Sequence, residues 1–125
     1  MSLSALFSIK PEYAEKIFSG KKKFEFRTKC CKKKIDKIMI YETSPVCKVV
    51  GEVSVLTILC DTPQNIWEQT KKYAGIEYKR YMDYFSNRKV AYAYVLDKPV
   101  RYENALSLEN YNISSAPQSY IYLKA

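Results

Sequence analysis

The feature that most constrains the fold is the run KVVGEVSVLTIL at positions 48–59. It is rich in β-branched residues, which favour extended structure. The run therefore predicts a long strand, and Gly51 inside it predicts a bulge or kink, because glycine within a strand often marks one. Shorter strand and helix patterns alternate along the rest of the chain, without repeats or low-complexity linkers.

Three helices are predicted from their terminal residues and their apolar periodicity. The first spans 11–19 and ends at Gly20, where glycine can adopt the left-handed conformation of a C-cap. The second is capped by Thr62 and stopped by Gly75, and both helices have proline at the first position. The third spans 77–86, and its apolar face at i, i+3, i+4 and i+7 consists of Tyr78, Tyr81, Met82 and Phe85.

The other predicted strands are LSALFSIK, KKKFEFR, KIMIYETS, VAYAYVL and QSYIYL. In KKKFEFR the side chains alternate, so Phe24 and Phe26 point to one side of the sheet. Lys98-Pro99 is expected to break the strand before it, and VRYENALSL continues as a strand or an edge. Five or more strands with inserted helices, unlike a regular βαβ array, predict an α+β fold around a small barrel.

Positive charge is concentrated in one part of the chain. Residues 16–37 contain ten Lys and Arg against two acids, and this excess equals the net charge of +8 of the whole chain. Concentrated positive charge favours polyanions such as nucleic acid, or an anionic membrane surface. A solvated face that only keeps the protein soluble is the alternative interpretation.

Composition also excludes several kinds of active site. The chain has no histidine, which excludes His-based general acid–base pairs and Ser-His or Cys-His triads. The cysteines lack CxxC spacing, so we expect reduced thiols that pack as small apolar residues, with no metal site and no cofactor. They are Cys30, Cys31, Cys47 and Cys60.

At 125 residues, the chain is predicted to form a single domain, 1–125. No apolar run approaches the ~20 residues that cross a bilayer. No signal peptide is apparent in MSLSALFSIKPEY, which has no basic start and only a short apolar run. A cytoplasmic protein is therefore expected.

Gly20-x-Lys22-x-x-Glu25-x-Arg27 follows the first predicted strand and helix. In this place the spacing resembles the GxKxxExR signature of the ASCH (activating signal cointegrator homology) domain family. VVGEVSV in the long strand, YMDYF in the helical middle and the closing APQSYIYL are also similar to that family, so the resemblance covers most of the chain. It implies a PUA-like fold, which is a small, partly open β-barrel with flanking helices, and a cleft that binds RNA.

The signature residues suggest how such a cleft would work. Glu25 and Arg27 are two apart on a strand and therefore point the same way. Arg27 offers a fork of donors for phosphate or a base edge. Glu25 repels phosphate, so we expect it to orient Lys22 or Arg27, to recognise a base, or to transfer a proton. Strict alternation would bury Lys22, so the strand is expected to become regular only after it; a surface ion pair without function is the alternative.

The predicted nucleic-acid contacts include both lysine triplets and two tyrosines. Aromatic rings stack unpaired bases, at ~1–3 kcal/mol per base. Tyrosines on apolar helix stripes, including Tyr73 and Tyr78, are expected in the core, and two strand tyrosines are the stacking candidates. The predicted set is Lys21, Lys22, Lys23, Glu25, Arg27, Lys32, Lys33, Lys34, Tyr41 and Tyr94.

A hydrolase is the alternative function. The resemblance implies two precedents, amidohydrolases that act on acylated cytidine through a lysine, a threonine and a glutamate, and ribonucleases. Lys22 matches that lysine, but Glu25 occupies the threonine's position, which argues against the amidohydrolase chemistry. With Glu77 as the candidate glutamate, the catalytic residues of a hydrolase would be Lys22, Glu25 and Glu77. Membrane-surface attachment is disfavoured, because no long basic amphipathic helix accompanies the lysines.

Overall fold

The computed structural model describes residues 3–123. Short 3-10 helices lie at Lys71–Tyr73 and Leu108–Tyr111. The other elements are β1 (Ser4–Ile9), α1 (Pro11–Phe18), β2 (Phe24–Arg27), β3 (Lys37–Glu42), β4 (Lys48–Asp61), α2 (Pro63–Thr70), α3 (Tyr78–Tyr84), β5 (Ala91–Leu106) and β6 (Tyr120–Leu123). The predicted α+β class is confirmed.

The strands form one curled sheet in the order β2-β5-β4-β3-β1-β6, in which the β1–β3 pair is parallel and the other pairs are antiparallel. β2 and β6 are the two edges of this order, yet they approach each other. Arg27, the last residue of β2, donates to the carbonyl oxygen and the hydroxyl of Ser119, immediately before β6, at 3.4 and 3.2 Å. The sheet is therefore a half-barrel, which confirms the predicted small, partly open barrel.

The predicted irregularity at Gly51 is confirmed. Ile40 pairs with Gly51 and Tyr41 pairs with Val49, so Val50 is an extra residue in β4. A Cβ atom on Gly51 would lie 2.6 Å from the Phe18 ring and would also overlap the Val100 carbonyl oxygen. Glycine is required here because α1 and β5 both approach the backbone closely.

The predicted break at Lys98-Pro99 is wrong, because β5 runs through it as a 16-residue strand. Glu52 pairs with Val100 and Ser54 pairs with Asp97, so this stretch of β5 has one residue more than its partner. Lys98 has a positive φ of 52°, which places the extra residue in a bulge. A bulge accommodates proline without the loss of a ladder hydrogen bond.

Two apolar clusters meet at β2. Inside the half-barrel, the rings of Phe7 and Tyr94 lie 5.2 Å apart and pack with Ile17 of α1. On the other side, Phe26 of β2 packs edge-on against Tyr81 of α3 at 4.9 Å. The signature strand therefore lies between the barrel interior and the helices. No helix within residues 3–123 is long and apolar enough to span a membrane.

Candidate functional site

The turn after α1 directs the signature residues inward. Gly20 has a φ of +83°, which confirms the predicted left-handed C-cap. The N–H groups of Lys21 and Lys22 then both donate to the carbonyl oxygen of Lys16 at 3.0 Å. These bonds bring the chain round tightly, so β2 starts at Phe24, after Lys22, as expected.

Lys22 is nevertheless buried, with 3% of its surface exposed, contrary to the expectation that an irregular start would keep it in solvent. Its Nζ donates to the carbonyl oxygen of Ala74 at 2.8 Å. The ammonium also lies 4.7 Å from the centre of the Phe26 ring and 5.2 Å from that of Tyr13, where cation–π attraction offsets part of the desolvation cost. Burial lowers the pKa of Lys22 to about 8, although the negative charge of Glu25 acts in the opposite direction.

Gly75 makes room for this side chain. A Cβ atom at Gly75 would lie 2.5 Å from the Cβ of Lys22, and the residue has a φ of +66°. Its carbonyl oxygen accepts a hydrogen bond from the Nζ of Lys16 at 3.2 Å. Gly75 thus ends the second helical region, as predicted, and also forms one wall around Lys22.

Glu25 and Arg27 form an ion pair that is largely buried. The Nε and NH2 groups of Arg27 both lie 3.0 Å from Oε2 of Glu25, which confirms that the two side chains share a face. NH2 also donates to the carbonyl oxygen of Ser8 at 3.0 Å, and the guanidinium lies 4.7 Å from the centre of the Phe7 ring. Together with the two bonds to Ser119, these contacts engage all three nitrogens of the guanidinium. Arg27 therefore holds the edges of the half-barrel together, and its donors are occupied rather than open to a phosphate.

The three signature side chains line a cleft of about 650 Å³ between the carboxyl end of β1 and α3. Four cationic and two acidic side chains contribute to its wall. The lining residues are Ser8, Ile9, Lys10, Tyr13, Lys22, Glu25, Phe26, Arg27, Ile76, Arg80, Asp83, Tyr84 and Gln118.

The residues from α3 were missed by sequence reasoning. Arg80, Asp83 and Tyr84 occupy i, i+3 and i+4 on this helix and are exposed. Arg80 bonds to Glu12 of α1 at 3.1 Å, and this ion pair spans the rim next to the ring of Tyr13. A polar face opposite the predicted apolar face of the helix was the available signal.

The tyrosines differ from the prediction. Tyr94 is completely buried inside the half-barrel, where its hydroxyl accepts a hydrogen bond from the N–H of Cys31 at 2.9 Å, and Tyr41 is 6% exposed. Neither ring offers an exposed face to a base, which corrects their assignment as stacking residues. Exposed rings include instead that of Tyr84 in the cleft, at 47%, and those of Tyr78 and Tyr73, at 47% and 37%, both of which were expected in the core.

The remaining predicted residues lie outside the cleft. Lys21 and Lys23 are exposed on either side of Lys22. Glu77 is an exposed residue at the N-cap of α3 and does not line the cleft. The second triplet, Lys32, Lys33 and Lys34, is exposed on the loop between β2 and β3, where the N–H of Lys33 donates to the hydroxyl of Tyr122 on β6 at 3.0 Å.

Curated relatives include proteins of very different length. The chain is 32% identical over 120 residues to a Ureaplasma parvum protein named ATP synthase subunit alpha, a match that covers 95% of this chain but 15% of that protein. It is 33% identical over 91 residues to the Large ribosomal subunit protein uL22 of the same organism, covering 73% of this chain and 29% of that one. An ASCH domain-containing ribonuclease of Zymomonas mobilis is 32% identical over 124 residues, with 96% of this chain and 84% of the relative covered.

The fold has a close counterpart among solved structures. The crystal structure of ASCH from Zymomonas mobilis superposes with a TM-score of 0.86 at 29% identity, covering 97% of this chain and 87% of that one. The family model for the ASCH domain matches residues 7–100, which include the whole signature. The chain therefore belongs to the ASCH domain family.

Proposed function

We propose that this domain binds single-stranded RNA through the cleft around Lys22, Glu25 and Arg27. The observation that carries the proposal is the composition of the cleft, with a buried polar floor beneath an exposed aromatic ring. Unpaired bases stack on such rings, and buried polar groups recognise base edges. The Zymomonas mobilis relative named as a ribonuclease supports RNA over other polyanions.

The charges of the cleft favour one orientation of a bound nucleotide. Glu25 repels phosphate, so the base occupies the floor and the phosphate lies at the rim, near Lys10. Within residues 3–123, the hydrogen bonds of Glu25 all use Oε2, and Oε1 is the oxygen that can accept from an amino group of a base. Tyr84 then covers the base from the side of α3.

Fluorescence anisotropy with a labelled single-stranded RNA of roughly ten nucleotides tests the proposal at low salt, where electrostatic affinity is greatest. Tyr84→Ala is expected to weaken binding roughly 5- to 150-fold, the equivalent of ~1–3 kcal/mol for one stacked base. Tyr78→Ala is a matched control, because Tyr78 lies on the same helix, is equally exposed at 47%, and is outside the cleft. A wild-type protein that does not bind at low salt contradicts the proposal.

A second candidate function is a hydrolase acting on RNA. The observation that favours it is the position of Lys22 in the cleft with Glu25, together with its pKa, which burial lowers to about 8. An amine with a pKa near the working pH is suited to general-base catalysis. Asp83 lines the cleft and Glu77 does not, so Asp83 replaces Glu77 as the second acid in this candidate. Acylcytidine hydrolysis is less favoured, because the threonine of that arrangement is absent.

Glu25→Gln separates the two candidates. Glutamine keeps the shape and can still accept from Arg27, so a pure binder retains its RNA affinity or gains slightly. If Glu25 acts as a base, turnover falls by roughly 10²–10⁴-fold while binding persists. Incubation of the wild type with single-stranded RNA and with N4-acetylcytidine, followed by chromatography, supplies the activity measurement. Intact substrates after prolonged incubation would exclude the hydrolase.

A further inference from the structure

The outward side of the signature segment contacts an exposed tyrosine. The N–H of Lys23 donates to the carbonyl oxygen of Tyr73 at 2.9 Å, and its Nζ lies 4.3 Å from the centre of the Tyr73 ring. The Nζ of Lys72 lies 5.6 Å from the same centre. We refer to Lys23, Lys72 and Tyr73 as the Tyr73 patch.

The charges of this patch are not neutralised by neighbouring acids. Within residues 3–123, neither Lys23 nor Lys72 has a carboxylate within ion-pair distance, whereas the adjacent Lys71 is bound to Glu68 at 2.9 Å. A cation–π contact at an exposed site holds an ammonium only weakly. The two ammonium groups are therefore available to a phosphate.

The patch is continuous with the cleft. From Tyr73 the chain passes to Ala74, whose carbonyl oxygen binds Lys22 on the cleft floor, and then to Ile76, which lines the cleft. The backbone distance from Tyr73 to Ile76, three residues further along the chain, is therefore at most about 10 Å. In the segment that enters β2, Lys22 lines the cleft, and the next residue, Lys23, contacts the ring of Tyr73 in the patch.

A hollow of about 250 Å³ adjoins Lys23 of the patch, and Lys22 lines both this hollow and the cleft. Lys23 lies at its wall together with Lys98, which the bulge in β5 presents, and one acid, Asp97. Lys98 thus adds a positive side chain to the same hollow as Lys23.

We infer that the Tyr73 patch is a second subsite for a single-stranded polynucleotide, next to the nucleotide in the cleft. Tyr73 stacks a base, and Lys23 and Lys72 bind the phosphates that join it to its neighbour. The inference rests on the proposed RNA-binding function and specifies its ligand as a strand of at least two nucleotides rather than a free nucleoside.

The test compares an RNA strand of roughly ten nucleotides with nucleoside monophosphates and with an abasic strand of equal length. Tyr73→Ala is expected to weaken binding of the RNA strand roughly 5- to 150-fold and to leave binding of the monophosphates and the abasic strand unchanged. Tyr73→Phe keeps the ring and is expected to bind like the wild type. Both variants retain the backbone carbonyl that holds Lys23.

The lysines are tested by salt dependence. Lys23→Gln combined with Lys72→Gln is expected to flatten the slope of log K against log[salt] by roughly 1.4, at 0.7 for each single-strand contact. Removing the neutralised neighbours together, by Lys71→Gln with Glu68→Gln, leaves the slope unchanged. If the wild type binds the strand and Tyr73→Ala binds it equally well, this inference alone is overturned. If the wild type binds no probe, the proposed function fails and the inference with it.

Discussion

The two lysine triplets, at 21–23 and 32–34, have identical sequences and different surroundings. In the first, the middle lysine is 3% exposed and bonded to a backbone carbonyl, while its neighbours are exposed. In the second, all three side chains are exposed. The difference shows that a run of lysines does not determine its own environment; the segments packed against it do.

Different neighbouring segments set the surroundings of the two triplets. The first enters β2, where side chains alternate, and its middle lysine is covered by the carbonyl group of Ala74 and by the rings of Phe26 and Tyr13. The second lies between Cys31 and Ile35, which are 7% and 3% exposed. These two residues anchor the loop to the barrel core, so the lysines between them project outward.

The largest effect on stability is expected at Arg27, the last residue of β2, the strand that follows the first triplet. Arg27→Gln leaves the Glu25 carboxylate buried without its partner and removes the bonds to Ser8 and Ser119, so it should cost about 3–5 kcal/mol of unfolding free energy. Urea denaturation measures it. Lys29→Gln, a change of equal charge at an exposed position, should stay within about 0.5 kcal/mol. Equal costs for the two variants would contradict the bracing role of Arg27.

The next effect concerns the space around Lys22. Gly75→Ala combines a positive φ with an overlap against the Lys22 stem and should cost roughly 2–5 kcal/mol. Gly20→Ala is the matched control, because φ is +83° there but no atom lies within 4 Å of the added Cβ. It should cost only the conformational share, about 1–2 kcal/mol. Thermal or urea unfolding of both variants measures the two losses of stability. If Gly75→Ala loses no more stability than Gly20→Ala, the close packing of Gly75 against Lys22 is contradicted.

The pH dependence of stability should distinguish Lys22 from every exposed lysine. The folded-state pKa of about 8 is below the ordinary value, so the folded state loses its proton first as the pH rises above about 8, while the unfolded chain stays protonated. Stability attributable to Lys22 therefore increases with pH between about 8 and 10.5, by up to roughly 3 kcal/mol.

Urea unfolding of the wild type and Lys22→Met at several pH values isolates this contribution, because ionisation of the buried tyrosines affects both proteins alike. The unfolding free energy of the wild type should rise relative to that of Lys22→Met as the pH rises. A difference that is constant with pH would mean that Lys22 keeps an ordinary pKa.

The smallest effect on folding is expected for the second triplet. Replacing Lys32, Lys33 and Lys34 together by Gln should change the unfolding free energy by no more than about 0.5 kcal/mol per site, because all three are exposed. If they contact phosphates, the variant binds all RNA sequences more weakly and the salt slope flattens by about 2. An unchanged slope would assign this triplet to solvation alone.

Local signals in the sequence were sufficient for much of the fold. Proline and glycine at the ends of α1 determined its limits, because their effects on the backbone are local. The bulge beside Gly51 and the shared face of Glu25 and Arg27 also follow from short-range rules of strand geometry. The three polar residues of the signature, Lys22, Glu25 and Arg27, line one cleft.

The failures involve contacts between distant segments. The burial of Lys22 depends on Ala74, which is 52 residues away, and no local pattern reveals that carbonyl group. Tyr94 was expected to be exposed and is buried, and Tyr73 was expected to be buried and is exposed. The sequence pattern indicates which side of a strand or helix a residue occupies, but not which segment packs against that side. At Lys98-Pro99, a bulge with a positive φ overrode the usual effect of proline.

The gap in the half-barrel has a consequence for how copies of the protein behave toward one another. β2 and β6 are both edge strands of only four residues, and unpaired edges can add a strand from another chain. Here Arg27 holds the two edges to each other, and Lys33 lies over the Tyr122 ring of β6 with two more lysines beside it. A second copy approaching this edge meets a short, positively charged border like its own, and repulsion between like charges opposes the pairing of such edges.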